Sequence, residues 1–281
     1  MKLNYIIDGK IKKIEVPESQ NFVFGENKIL SNIDSDVTYK FDWYKKGFTI
    51  KKFITDNEFG EIKLGIEESI KNIISSTLNI DVSDFTIEGY HKYVKDDSAH
   101  FKIVSQTRDL FTKDFCFDIN YLIPKLEKIL GIDFTDYDEE NNYKSHIIVR
   151  INRPNSSDFN PPHKDIYEHY DGEGYIPKFI NFWIPICGVS KESVLPICPE
   201  SHLISENKIL RTNDGCIIND NKYRVRLIKN WDDKSELIKP EIKYGEVLIF
   251  SSHLIHGLSL NEQFDLTRVA LEFRLYEKNK L

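Results

Sequence analysis

Four short runs in the second half of the chain, 145–152, 178–186, 245–250 and 267–276, are rich in strand-forming residues and are set apart by Gly, Pro and Asn turns. This texture constrains the fold more than any other feature. Strands of that length and spacing predict a jelly roll or related barrel. In the last run Val269, Leu271, Phe273 and Leu275 fall on one face, and Arg268, Ala270, Glu272 and Arg274 on the other. A polar strand face of this kind either meets solvent or lines a barrel interior that holds a charged ligand.

The first half reads differently. Residues 1 to 55 alternate apolar and polar positions in short runs such as Tyr39-Lys40-Phe41-Asp42-Trp43, and the opening pair of strands flanks Asp8-Gly9, a favoured hairpin turn. From 61 to 78 the spacing of Ile62, Ile66, Ile70, Ile73, Ile74 and Leu78 follows one helical face, and 117–130 repeats it before Gly131, a helix stop. The expected architecture is mainly β with flanking helices. An N-terminal strand and helix region, 1–140, packs on a β core, 141–281, without folding independently. The polar stretch 203–240 is long for a simple connection and reads as a lid or an inserted hairpin.

A chain of 281 residues with 40% hydrophobic content buries a sizeable core. Its net charge of -7, with no basic stripe, argues against nucleic acid or an anionic membrane as partner. The opening residues lack the apolar run of a signal peptide or anchor. The four cysteines, Cys116, Cys187, Cys198 and Cys216, form no C-x-x-C pair, which fits a reducing cytoplasm. Nothing in the sequence fixes an oligomeric state.

Chemistry enters with His163-Lys164-Asp165. On a strand, residues two apart point the same way, so both side chains can face one metal. Two imidazoles and a carboxylate on one face leave positions open for oxygen and a co-substrate, the arrangement a mononuclear iron needs. The spacing alone is weak, because eight His and 45 acidic residues supply about one such pair by chance. A second pair, His169 with Asp171, lies just before Gly172 and Gly174, where a turn scatters side-chain directions.

A third ligand is sought at the end of the 245–250 strand, where His253 and His256 are three apart and a regular strand sends them to opposite faces. His256 is favoured because Gly257 permits tight backbone geometry after it. His253 reads as a packing residue, and His202 as a loop residue outside the set. His256 and Arg268 lie almost symmetrically about a connection near Glu262 and belong at one rim of the structure. A dicarboxylate that chelates the metal at one end needs a cation at its other end, and the guanidinium fork of Arg268 suits that task. Arg274 lies roughly 20 Å further along the strand and serves something else.

The pattern resembles the phytanoyl-CoA dioxygenase-like group of iron- and 2-oxoglutarate-dependent oxygenases. The matching pieces are Pro162-His163-Lys164-Asp165, Trp183-Ile184-Pro185, Leu195-Pro196-Ile197-Cys198-Pro199-Glu200-Ser201-His202, and His256-Gly257 through Asn261 to Arg268. The resemblance implies a double-stranded β-helix, Fe(II) held by His163, Asp165 and His256, and 2-oxoglutarate bound through Arg268, with Asn181 and Asn152 on neighbouring strand positions lining its pocket. Because Asp165 is present, where halogenating relatives lack the carboxylate, it implies hydroxylation of a small-molecule substrate by molecular oxygen, with release of succinate and CO2. There are departures. Glu200 stands where the group commonly has Gly, Ser193-Val194 where it has an Asn-Gly pair, and the segment from His256 to Arg268 is slightly longer. Two other readings stay open: a cupin-like metalloenzyme without 2-oxoglutarate, and a non-catalytic ligand-binding barrel.

Overall fold

Alternation along Arg268–Glu277 places this strand at the centre of the main sheet. In the computed structural model, which describes all residues except 109, 116–117, 171–173, 219–220 and 279–281, it pairs antiparallel with Phe179–Cys187 on one side. On the other side it pairs with Ile147–Asn152 and Phe134–Thr135. Beyond Phe179–Cys187 come Glu246–Ser251 and then, at the edge, Phe48–Lys52. The four strands read from sequence therefore lie in one sheet, with ends shifted by a residue or two.

The two faces of the central strand part as their chemistry demands. Val269, Leu271, Phe273 and Leu275 join a buried cluster with Ile62, Ile66, Ile70 and Ile74 from the helix Asp56–Leu78 and with Leu122 and Leu126 from the helix Leu122–Leu130. Arg268, Glu272 and Arg274 face a cavity on the other side. The helices thus cover one face of the sheet, and the site opens from its opposite face.

Helix limits follow caps more than apolar periodicity. Asp56–Leu78 starts well before its first periodic isoleucine, because Thr55 and Glu58 form a reciprocal capping box. Leu122–Leu130 ends at Gly131, whose left-handed φ of 71° lets its N–H reach the Glu127 carbonyl at 2.7 Å. Its predicted beginning at Phe117, like Cys116, lies outside the described residues. A further helix, Asp97–Thr107, is capped by Asp96, which accepts from the Ala99 N–H at 2.8 Å.

The alternation at 39–43 does not make a strand. Buried Asp36 accepts from the Thr38 N–H at 2.9 Å and from the hydroxyls of Ser31 and Ser251, both at 2.6 Å. These bonds wind Val37–Lys40 into a 3-10 turn, a local choice that overrides the pattern.

At the start of the chain, Lys2–Ile7 and Lys10–Glu15 form the expected hairpin, with both Asp8 and Gly9 at positive φ. The first strand also pairs in parallel with Glu236–Leu237, and Phe22–Phe24 pairs with Ile209–Thr212. The 203–240 stretch is consequently fastened to the N-terminal strands. It includes a hairpin of Cys216–Ile218 with Asn221–Tyr223. Among the described residues no helix is long and apolar enough to cross a membrane.

Candidate metal centre and co-substrate pocket

His163 and His256 are brought together by their backbones. The His163 N–H donates to the His256 carbonyl at 2.9 Å, and the His256 N–H returns the bond at 3.0 Å. The two imidazoles stand side by side with ring centroids 4.3 Å apart. Gly257 permits this approach: its φ is 136°, and a Cβ there would meet the Pro161 carbonyl oxygen at 2.3 Å.

No strand carries His163 and Asp165 as expected: His163 forms only an isolated bridge to His256. Lys164 is extended, with φ −114° and ψ 132°, and Asp165 opens a 3-10 turn to Glu168. One extended residue is enough to aim both side chains alike. The Lys164 ammonium points elsewhere and is buried 2.8 Å from Glu206.

The three side chains converge. His163 Nε2 lies 3.3 Å from Asp165 Oδ1, His256 Nε2 lies 3.7 Å from Asp165 Oδ2, and one ligand atom from each residue falls within 4.8 Å of the others. All three residues are buried. His163 Nδ1 bonds the Pro161 carbonyl at 2.7 Å and His256 Nδ1 the Leu254 carbonyl at 3.0 Å. Carbonyls only accept, so each Nδ1 carries the proton and each Nε2 turns its lone pair inward. Burial, reinforced by the neighbouring His163, pushes the His256 pKa down to about 4, which keeps this imidazole neutral at pH 7.

Asp165 has the opposite problem. Burial favours its protonated form, but the Arg274 cation outweighs that effect and holds the carboxyl well below the usual range. Arg274 donates to Asp165 Oδ1 and to Glu168 Oε2, each at 2.7 Å. Two imidazoles and one carboxylate, buried and aimed together, make a donor set that could hold one divalent metal ion.

Further along the same cavity the polar atoms have no protein partners to match. Arg268 is completely buried, its guanidinium 5.1 Å from the Trp183 ring centroid, and one of its terminal nitrogens donates to Asn152 Oδ1. Among the described residues its Nε and other terminal nitrogen have no hydrogen-bond partner, nor do Trp183 Nε1 or either amide atom of Asn181. Burial pushes the Arg268 pKa down to about 10, against the attraction of Glu272, so the cation persists at pH 7 although no carboxylate among the described residues is bonded to it. Buried polar groups are normally paired. This cluster is shaped for a polar ligand, and an anion with a carboxylate terminus would meet the free fork of Arg268.

The structure changes one detail of the expected pocket. Asn152 and Asn181 are not on neighbouring strand positions, because the central strand runs between theirs: Asn152 pairs in register with Arg268, and Asn181 with Arg274. Asn152 therefore belongs to the arginine end and Asn181 to the metal end. Both line the cavity, whose volume is about 1130 Å³.

The other histidines stand apart from the three. His253 is fully buried and its Nε2 donates to the Ser35 carbonyl at 3.1 Å, while His202 packs edge-on to Tyr44. His169 lies 3.5 Å from Arg274, and Asp171, its partner in the second H-x-D pair, is outside the described residues. Two features went unread in the sequence: Arg274 as the partner of Asp165, and a half-buried ion pair in which Arg150 donates to Glu272 from two nitrogens, at 2.8 and 3.2 Å. Alternation on 147–152 held the signal for the second, since Arg150 and Asn152 share the cavity face.

Glu200 adopts a left-handed φ of 63°. That conformation explains why Gly is common at this point in the resembling group and why Glu carries some strain there.

A model of the phytanoyl-CoA dioxygenase (PhyH) family matches residues 45–261, a span that contains His163, Asp165 and His256 and stops short of Arg268. No curated protein matches the chain. Among solved structures, it is similar to AviO1 from Streptomyces viridochromogenes Tue57, at 11% identity over 85% of this chain and 93% of that one, with a TM-score of 0.45. It is similar to EvdO2 from Micromonospora carbonacea var. aurantiaca complexed with 2-oxoglutarate, at 14% identity over 85% and 90%, with a TM-score of 0.47. It is also similar to the non-heme alpha ketoglutarate dependent carbocyclase SnoK from nogalamycin biosynthesis, at 12% identity over 84% and 81%, with a TM-score of 0.42. The family match decides the matter because it covers most of the sequence: the chain belongs to the phytanoyl-CoA dioxygenase family, oxygenases that work with Fe(II) and 2-oxoglutarate.

Proposed function

We propose that this protein hydroxylates a small-molecule substrate, using molecular oxygen and releasing succinate and CO2, on a double-stranded β-helix core. His163, Asp165 and His256 hold Fe(II), and Arg268 with Asn152 binds the far carboxylate of 2-oxoglutarate, while Asn181 lines the pocket near the metal. The observation that carries this reading is the meeting, in one cavity, of a metal-ready donor set with a buried arginine to which no carboxylate among the described residues is bonded. Bound iron supplies oxygen activation coupled to 2-oxoglutarate decarboxylation.

The chain's own work is positional. The carbonyls of Pro161 and Leu254 fix both imidazole tautomers, and Arg274 keeps Asp165 ionised and aimed. Trp183 lies against the Arg268 guanidinium and helps keep water from it. Region 1–140 packs on the 141–281 catalytic core as part of the same unit, supported by the pairing of Phe48–Lys52 with Glu246–Ser251. Three free cysteines fit a cytoplasmic setting.

The test is succinate formation from 2-oxoglutarate and oxygen across a panel of amino acids, sugars, acyl thioesters and secondary metabolites. Iron-dependent succinate release that rises with one compound class, and is lost in His163→Ala, is the expected result. Oxidised product without succinate points to a cupin-like enzyme, and equal iron retention in His163→Ala and the parent points to a binding barrel; either overturns the proposal.

A further inference from the structure

The charges around the cavity do not cancel. Arg150 is matched by Glu272, Arg153 by Asp158 and Asp97, and Arg274 by Asp165 and Glu168. With Arg268 assigned to the co-substrate, the cavity wall still carries Arg108, Lys222, Arg224 and Arg226. Among the described residues none of these four has a carboxylate bonded to it, and the only lining acid without a bonded cation is Asp214. A protein of net charge -7 has therefore gathered surplus positive charge inside this cavity. Such local inversion concentrates anions at a cleft.

Arg108 is the most telling of the four. It caps the helix Asp97–Thr107 at its C-terminus, is partly buried, and its side chain makes no hydrogen bond to another described residue. Burial and the nearby Arg150 cation both work against its charge, lowering its pKa to about 10. A guanidinium nonetheless stays protonated at pH 7, and no donor of its fork is bonded to another described residue. Lys222, Arg224 and Arg226 approach from the hairpin strand Asn221–Tyr223 and the residues just after it. That segment is the polar insertion the sequence had marked as a lid or hairpin, and it brings cations to the cavity. The cavity, at about 1130 Å³, has room for a second small molecule beside 2-oxoglutarate.

We propose that the substrate carries an anionic group, a phosphate or a carboxylate, which Arg108 grips while Arg224 and Arg226 draw it in. The bidentate geometry of guanidinium with either oxyanion is the shared chemistry. This inference rests on the assignment of Arg268 to 2-oxoglutarate, and its test separates the two.

The experiment is calorimetric titration of the anaerobic protein, loaded with Fe(II) and 2-oxoglutarate, with phenyl phosphate, benzoate and benzyl alcohol. At least one anion should bind tenfold or more tightly than the alcohol, and the better of the two names the group. Arg108→Gln should weaken that anion at least tenfold while 2-oxoglutarate affinity stays within twofold, and Arg108→Lys, which keeps the charge and loses the fork, should fall between. Equal affinity of parent and folded Arg108→Gln for the anions overturns the proposal, as does an alcohol bound as tightly as both anions. If 2-oxoglutarate does not bind but anion affinity still follows Arg108, the reading of Arg268 fails and the anion site stands.

Discussion

The two ends of the cavity solve the problem of buried charge in opposite ways. At the metal end each ionic or imidazole group has a protein partner: Arg274 spans Asp165 and Glu168, and both histidine Nδ1 atoms are held by backbone carbonyls. At the other end Arg268 and Trp183 present buried polar atoms to which no described residue is bonded. An isolated buried charge costs several kcal/mol, so the second arrangement weakens the empty protein and is relieved when an anion arrives. The first end is built to be rigid before anything binds, the second to reward a ligand.

The largest effect should come from the metal end itself. His256→Ala removes one of only three protein donors, and iron retention should drop by more than about a hundredfold, exceeding the loss typical of disturbing a ligand's outer partner; metal analysis after desalting reads it. Retention within a few-fold of the parent would break the comparison at its base.

Arg274→Met comes next. It strips the buried Asp165 carboxylate of its cation, and the exposed Glu168 of the same partner, so stability in denaturant should fall by about 3–5 kcal/mol. The acid limb of the stability curve should change as well. Both carboxyls have folded pKa values below their ordinary ones, because Arg274 outweighs their burial. Their contribution is therefore complete above the unfolded value of roughly 4 and is lost as pH falls through the lower folded values. In Arg274→Met that loss below roughly pH 4 should flatten.

Arg268→Met tests the other end and should behave in reverse. Co-substrate affinity should drop about a hundredfold, or roughly 2.7 kcal/mol, within the range for truncating one partner of a buried charge pair across a binding interface. The ligand-free protein should be no less stable than the parent, since an uncompensated buried cation has become an apolar side chain. A large loss of stability would show that Arg268 is structurally paired and erase the contrast between the ends.

The smallest effect lies away from both. Glu200→Gly relieves a Cβ held at a left-handed φ of 63° and should stabilise by about 0.5–1 kcal/mol, leaving iron retention and co-substrate affinity unchanged. Thermal melts of parent and variant measure it.

How much of this was legible beforehand differs between the same two ends. The donor set could be read from His163, Asp165 and His256, because strand alternation fixes side-chain direction with no knowledge of neighbours. What holds it could not. Arg274 lies 109 residues from Asp165 along the chain, and their ion pair depends on which strand ends beside which turn. The arginine end was partly legible, since alternation put Arg268 on a polar face, yet Asn152 and Asn181 were wrongly made neighbours because strand order is a property of the whole sheet. Helix starts show a third case: the T-x-x-E cap of Thr55 and Glu58 was present in the sequence, but the apolar stripe, which begins at Ile62, was followed instead. Alternation at 39–43 misled because buried Asp36 bonds a backbone amide locally.

The central claim is that a three-residue iron site and a 2-oxoglutarate pocket share this cavity. Anaerobic addition of Fe(II) and then 2-oxoglutarate to the purified protein tests it most directly, through the visible charge-transfer band that forms when the keto acid chelates the metal. The account predicts a band in the parent, none in His256→Ala, and in Arg268→Met a band that returns only at about a hundredfold higher 2-oxoglutarate. Well-folded parent protein that gives no band would contradict it.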